Sequence, residues 1–255
     1  MAPNQQQRNR KWHPGMTAAI AAVGSLATIS PEFALAFTPV QELIITRQCI
    51  GCDLQAAILQ GLDLSEVNLQ RADLRNANLR DTAFFRADLR WAQLEGADLT
   101  QARLSDADAR ESSGQGADFT GARLTQAQFS DSDFSGANFT SIIGTESNFQ
   151  GAILTEAQFV EASLVRATLG NVVLTGADLQ GSDLYGANLI RADLSEANLQ
   201  GVNLVNARLI RVTLQNTDLT DAVLINANVV GTDLEAATLC RTIMPDGTEN
   251  NTDCP

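Results

Sequence analysis

The 255-residue chain carries 17 basic against 30 acidic side chains, a net charge of −13, and only 5% aromatic residues. A surface this acidic disfavours nucleic-acid phosphate and anionic lipid as partners. The only Lys and the only His are Lys11 and His13. Downstream of them no Ser-His-Asp, Cys-His or Ser-Lys nucleophile arrangement can be assembled, so an enzyme of those classes is not expected.

Residues 1–36 differ in composition from the rest. Arg8, Arg10 and Lys11 precede an apolar run from Met16 to Ile29, and Ala34-Leu35-Ala36 supplies a small-x-small cleavage pattern. This predicts a secretory signal removed after Ala36, with a retained anchor as the alternative. The run is short for a membrane span, so no stable membrane insertion is expected once it is removed. Removal takes the charge to −15. With no adjacent Arg pair, the general secretion route is favoured.

Residues 37–51 read as an N-terminal cap. Thr38-Pro39-Val40-Gln41 resembles a helix start, with Thr as cap, Pro in the first turn and Gln reaching back. A short helix to about Arg47 would lay Val40, Leu43 and Ile44 over the apolar end of whatever follows. Cys49 and Cys52 come next, as CxxC. Export favours a structural disulfide, with a redox-active pair and a metal site as alternatives, and two soft ligands without His fall short of structural zinc.

From residue 52 to 239 a large apolar residue falls on almost every fifth position: Leu54, Leu59, Leu64, Leu69, Leu74 and Leu79 begin the series, and Leu224, Leu234 and Leu239 end it. A small residue stands two before most of them, with Asp or Asn often between. Five fits neither the helical turn of 3.6 nor the alternation of a strand. If each quintet is one short extended side plus a corner, four sides close a square coil of about twenty residues that buries one small and one large side chain per side. Coils stacked at about 4.8 Å would make a rod about 45 Å long. Asp, Asn and Gly suit the corners.

The stretches ADLRNANLR at 72–80 and GADLQGSDLYGANLIRADLSEANLQGVNL at 176–204 resemble the pentapeptide-repeat proteins. The resemblance covers about three quarters of the chain and implies an all-β solenoid, a right-handed quadrilateral β-helix. It implies no single activity. Some members resemble duplex DNA in shape and charge and inhibit type II topoisomerases, which makes a DNA mimic the rival to a non-catalytic interaction or scaffold module. Exported cyanobacterial members imply a thylakoid-lumen or periplasmic location.

The repeat weakens where Ala109 and Gly114, and later Gly144, replace large residues, without losing the count of five. Folding by twenties stacks Phe119, Phe139 and Phe159 on one side and Phe129 with Phe149 on another, which reads as volume compensation. The alternative is a ligand-binding loop or bulge at 109–116. The same folding stacks Asp53 on Asp73, Asp88 on Asp108 and Asp98 on Asp118. Such pairs can raise a pKa or hold Ca²⁺, although corner service is the ordinary role of Asp here. No cofactor, metal or catalytic residue is assigned.

Outside the corners, Val165, Tyr185, Val205 and Ile225 form one apolar column, and Ile190, Ile210 and Val230 form its neighbour. These two stripes predict a face for an unknown protein partner or for self-association. A second cluster, Arg71, Phe85, Arg86, Arg90 and Trp91, lies on the same side nearer the N-terminus and suits cation–ring contact. Arg90 over Arg110, Arg103 over Arg123 and Arg191 over Arg211 are like-charge stacks. Residues 240–255 read as a C-terminal cap loop, in which Cys240 and Cys254 bracket the turn Pro245-Asp246-Gly247. Proximity favours the pairings 49–52 and 240–254 among three possible.

Overall fold

The computed structural model describes residues 38–254. The expected signal at 1–36 lies outside them. Helix α1 (Pro39–Thr46) opens the described chain, and Thr38 and Gln41 cap it reciprocally: Gln41 N–H donates to Thr38 Oγ1 at 3.3 Å and Thr38 N–H donates to Gln41 Oε1 at 3.0 Å. Arg47 ends it in a left-handed conformation. Leu43 is fully buried and Val40 packs beside it, so α1 covers the first coil. Ile44 departs from the expectation: it is 44% exposed, because the buried stripe of so short a helix is one residue wide.

Every parallel pairing in the ladder joins residues twenty apart, from Gln48 with Asn68 to Val223 with Ile243. Each pairing is a single residue wide. Leu54 N–H donates to Asp73 O at 2.8 Å, and Asp73 N–H donates back to Cys52 O at 2.8 Å. Four such sides and four corners make each coil. Strands of two residues occur, among the described residues, only in the terminal hairpin of β1 (Thr242–Ile243) and β2 (Glu249–Asn250).

The bore is filled as the quintet demands. The large residue and the small one two before it are buried along most of the ladder, and of the polar residues admitted to small slots all but Ser182 find backbone acceptors. Thr82 Oγ1 donates to Leu59 O at 2.9 Å, and Ser132 Oγ to Phe129 O at 2.6 Å. At the corners the second outward residue takes a positive φ, which Asn76, Asp81 and even Trp91 adopt at 56–58°. The outward Asp or Asn stabilises that corner by accepting the N–H two residues on, as Asp193 does from Ser195 at 3.0 Å.

The weakened stretch at 109–116 contains no bulge or loop. Ser113 pairs with Gln93 and Asp133 in the ordinary register, and Gly114 N–H donates to Asp133 O at 2.8 Å. The phenylalanines fill the missing volume: Phe119–Phe139 and Phe139–Phe159 stack at 4.8 Å, and Phe129–Phe149 at 5.1 Å.

The ladder leaves its register near the C-terminal end. Leu234 begins a short 3-10 turn (Leu234–Ala236) and is only partly buried, although the sequence keeps a leucine in phase there. Thr232 replaces the lost backbone partner, accepting Val212 N–H at 2.9 Å. Disulfides join Cys49 to Cys52, under α1, and Cys240 to Cys254, across the β1–β2 hairpin.

Candidate functional site

The three aspartate stacks are real neighbours: Asp53 pairs with Asp73, Asp88 with Asp108 and Asp98 with Asp118. The expected rise in pKa is not found at Asp73, Asp88 or Asp98. Asp73 is lowered, chiefly by the side-chain hydrogen bonds from Arg75. Burial alone would push Asp88 and Asp98 up, but hydrogen bonds from Arg90 and Gln70, and from Thr100 and Arg80, outweigh it and hold both below the usual carboxylate range. Lowered acids with satisfied oxygens make poor proton donors. Among the described residues no three His, Cys, Asp or Glu side chains group so as to hold a metal ion.

The basic cluster assembles as the folding by twenties places it. Arg71 and Arg90 lie 5.2 and 5.3 Å from the centre of the Trp91 ring, and Arg86 lies 4.8 Å from that of Phe85. Trp91 Nε1 donates to Glu111 Oε2 at 3.1 Å. The stack of Arg90 over Arg110 is neutralised by interleaved carboxylates: Arg90 meets Asp88 at 2.6 Å and Asp108 at 3.6 Å, and Arg110 meets Asp108 at 2.6 Å. Arg103 and Arg123 border a shallow depression with Phe85 and Ser105.

The two apolar stripes stand on adjacent corners of one wall. Between them, in each coil, two residues point inward and two outward: between Val205 and Ile210, Ala207 and Leu209 are buried and Asn206 and Arg208 are exposed. Tyr185, Ile225 and Val230 are exposed by 39, 37 and 67%, and Val165, Ile190, Val205 and Ile210 are half-buried by their neighbours one coil away. Tyr185 Oη accepts from Asn206 Nδ2 at 2.9 Å, which holds the ring along the stripe. Beside Ile190, Ile210 and Val230 runs an open depression of about 390 Å³, bordered by Gly170, Arg191 and Arg211.

Charge sets this part of the wall apart. From Val165 to Gly231 its outward positions hold Arg166, Arg191, Arg208 and Arg211 and no carboxylate, in a chain of net charge −13. Arg191, Arg208 and Arg211 form no ion pair with a described residue, whereas Arg166 reaches Glu146 at 3.8 Å. Sequence reasoning found the stripes and passed over Arg208. Its signal was present: it occupies the outward slot where most quintets place Asp or Asn.

A model of pentapeptide repeats matches eight overlapping segments between residues 48 and 241. The chain belongs to the pentapeptide-repeat family, whose members are right-handed quadrilateral β-helices. Among solved structures it is similar to HetL, a pentapeptide repeat protein involved in heterocyst differentiation regulation from the cyanobacterium Nostoc sp. strain PCC 7120. The two share 30% identity and a TM-score of 0.55, over 80% of this chain and 92% of HetL. QnrB1, a plasmid-mediated fluoroquinolone resistance protein, matches at 19% identity and a TM-score of 0.49, over 69% and 90% of the two chains. A pentapeptide repeat protein of the Arabidopsis thaliana thylakoid lumen matches at 33% identity over 37% of this chain and 59% of its own, with a TM-score of 0.26. No curated protein matches the sequence.

Proposed function

We propose that this protein is a non-catalytic, exported interaction module that captures a protein partner on the wall between Val165 and Gly231. One observation carries the reading: two exposed apolar stripes frame unpaired arginines on a face without a carboxylate. Apolar area that is desolvated together with weakly hydrated guanidinium groups is the composition of binding hot spots. Export to a thylakoid lumen or periplasm rests on the character of residues 1–36 and on two disulfides, which persist in oxidising compartments.

The rival reading, a DNA mimic that inhibits a type II topoisomerase, requires a continuously acidic rod. The arginine wall interrupts it. Affinity capture from the exported compartment tests the proposal. Val205→Asp with Ile225→Asp is expected to abolish capture and to leave the circular dichroism unchanged. Capture that survives both substitutions, or inhibition of gyrase supercoiling by the purified protein, would sink it.

A further inference from the structure

The arginine wall continues toward the N-terminus along the same four-sided ladder, and there its sign reverses. In the coils from Ser105 to Gly151 the outward positions of this wall hold Asp106, Asp108, Glu111, Asp131 and Glu146 against Arg110 alone. One wall is thus cationic and apolar in its last four coils and anionic in the three before them. At its far end stand Phe85 and Trp91. A two-fold axis lying in the plane of contact, perpendicular to the rod, brings each corner column opposite itself with its direction reversed.

We propose that the partner on this wall is a second copy of the same chain, packed antiparallel with the two-fold axis between the Glu146 and Arg166 coils. The inference rests on the interaction reading above and names its occupant. In this register Arg211 falls opposite Glu111, Arg191 opposite Asp131, Arg208 opposite Asp108 and Arg166 opposite Glu146, and the two-fold repeats all four pairs. No two like charges face each other. Ile225 comes opposite Phe85, and Trp91, whose bulk projects from a left-handed corner, comes opposite Gly231, which has no side chain to meet it.

The register is selective. A shift of the axis by half a coil toward the C-terminus sets Arg166 against its own symmetry mate, and the same shift the other way sets Glu146 against itself. A parallel pairing lays the cationic half on the cationic half. Like charges directly opposed across an interface select against such arrangements. The contact runs from Phe85 to Gly231, about 35 Å at ordinary strand spacing. A flat strip of this size stands at the lower end of specific interfaces, so the dissociation constant is expected in the micromolar range and sensitive to salt.

Sedimentation equilibrium of the purified protein tests the pairing. The wild type is expected to double in mass with rising concentration, and its dissociation constant to rise about tenfold or more between about 50 mM and 500 mM salt. Arg191→Glu with Arg211→Glu, at two exposed corners, should give a monomer, and so should Glu111→Arg with Asp131→Arg. All four substitutions in one chain restore opposite charges across the two-fold and should restore the dimer. Unchanged circular dichroism in each variant separates lost pairing from lost fold. A wild type that stays monomeric, a reversed pair that still dimerises, or a fourfold variant that stays monomeric would each overturn the inference. A monomeric wild type whose capture of another protein is lost in Val205→Asp with Ile225→Asp would remove the second copy and leave the broader reading standing.

Discussion

A Cβ atom added to Gly114 would lie 2.1 Å from Cε1 of Phe134, the large residue one coil later in the same column. The two positions share one volume, which Phe134 fills because Gly114 leaves it empty. Separations under 3 Å do not occur between real Cβ atoms and ring carbons, so the pair is a packing unit.

Gly114→Ala should therefore destabilise the protein by about 1–3 kcal/mol through overpacking, and Phe134→Ala by about 3–5 kcal/mol through the cavity it leaves. Gly114→Leu combined with Phe134→Leu returns the column to the regular quintet. It is expected to recover most of the stability that Gly114→Leu alone loses. Urea unfolding of the single and double variants measures the coupling, and strict additivity would show that the two sites are independent.

The cap makes a more local prediction. Leu43 is fully buried where α1 meets the first coil, while Ile44 and Ile45 are exposed. Leu43→Ala should open the N-terminal coils at a cost of about 2–5 kcal/mol, whereas Ile44→Ala should change stability by less than about 0.5 kcal/mol. Because stacked repeats contact only their neighbours, hydrogen exchange in Leu43→Ala should accelerate around Leu54 and Leu59 well before it does around Leu204.

The C-terminal end is held differently. Cys240 is bonded to Cys254 across the hairpin of β1 and β2, and Asp253 Oδ2 accepts Leu239 N–H at 2.9 Å. Replacing both cysteines by Ser frees a loop whose closure is worth about 3 kcal/mol in the chain-entropy account. Protection from exchange is expected to fall for Thr242 and Ile243 and to persist for Leu184. Uniform loss of protection along the ladder would show that the hairpin supports the whole rod.

Periodicity made the bore, the phenylalanine columns and the outward stripes legible, because a strict count of five fixes which residues stack once twenty make a coil. Three features were not legible, each for a physical reason. Ile44 faces solvent because helix rotation depends on what α1 packs against. Leu234 leaves the column although it keeps the count, as Thr232 takes over the bonding of a wall with no further coil above it. Arg208 was missed because its meaning lies in its surroundings: the slot is ordinary, and only the absence of carboxylates on neighbouring coils makes the charge unusual.

The aspartates at the corners set the acid limit of the fold. Asp63 and Asp193 are held below the ordinary carboxylate range first by hydrogen bonds from Ser65 and Ser195, and Asp73 by those from Arg75. Asp133 and Asp218 are lowered as well, since hydrogen bonds from Ser135 and Gln115, and from Thr220 and Gln200, outweigh the upward push of burial. A carboxylate whose folded pKa lies below its unfolded value contributes stability that is complete above the unfolded value, about 3.9, and is lost as pH falls through the folded one. Thermal stability should therefore be nearly level from about pH 7 to 5 and decline steeply below about pH 4. Asp193→Asn keeps the acceptor for Ser195 N–H and removes the titration, so its decline should be shallower than that of the wild type. A stability maximum at acid pH would contradict this assignment of the corner carboxylates.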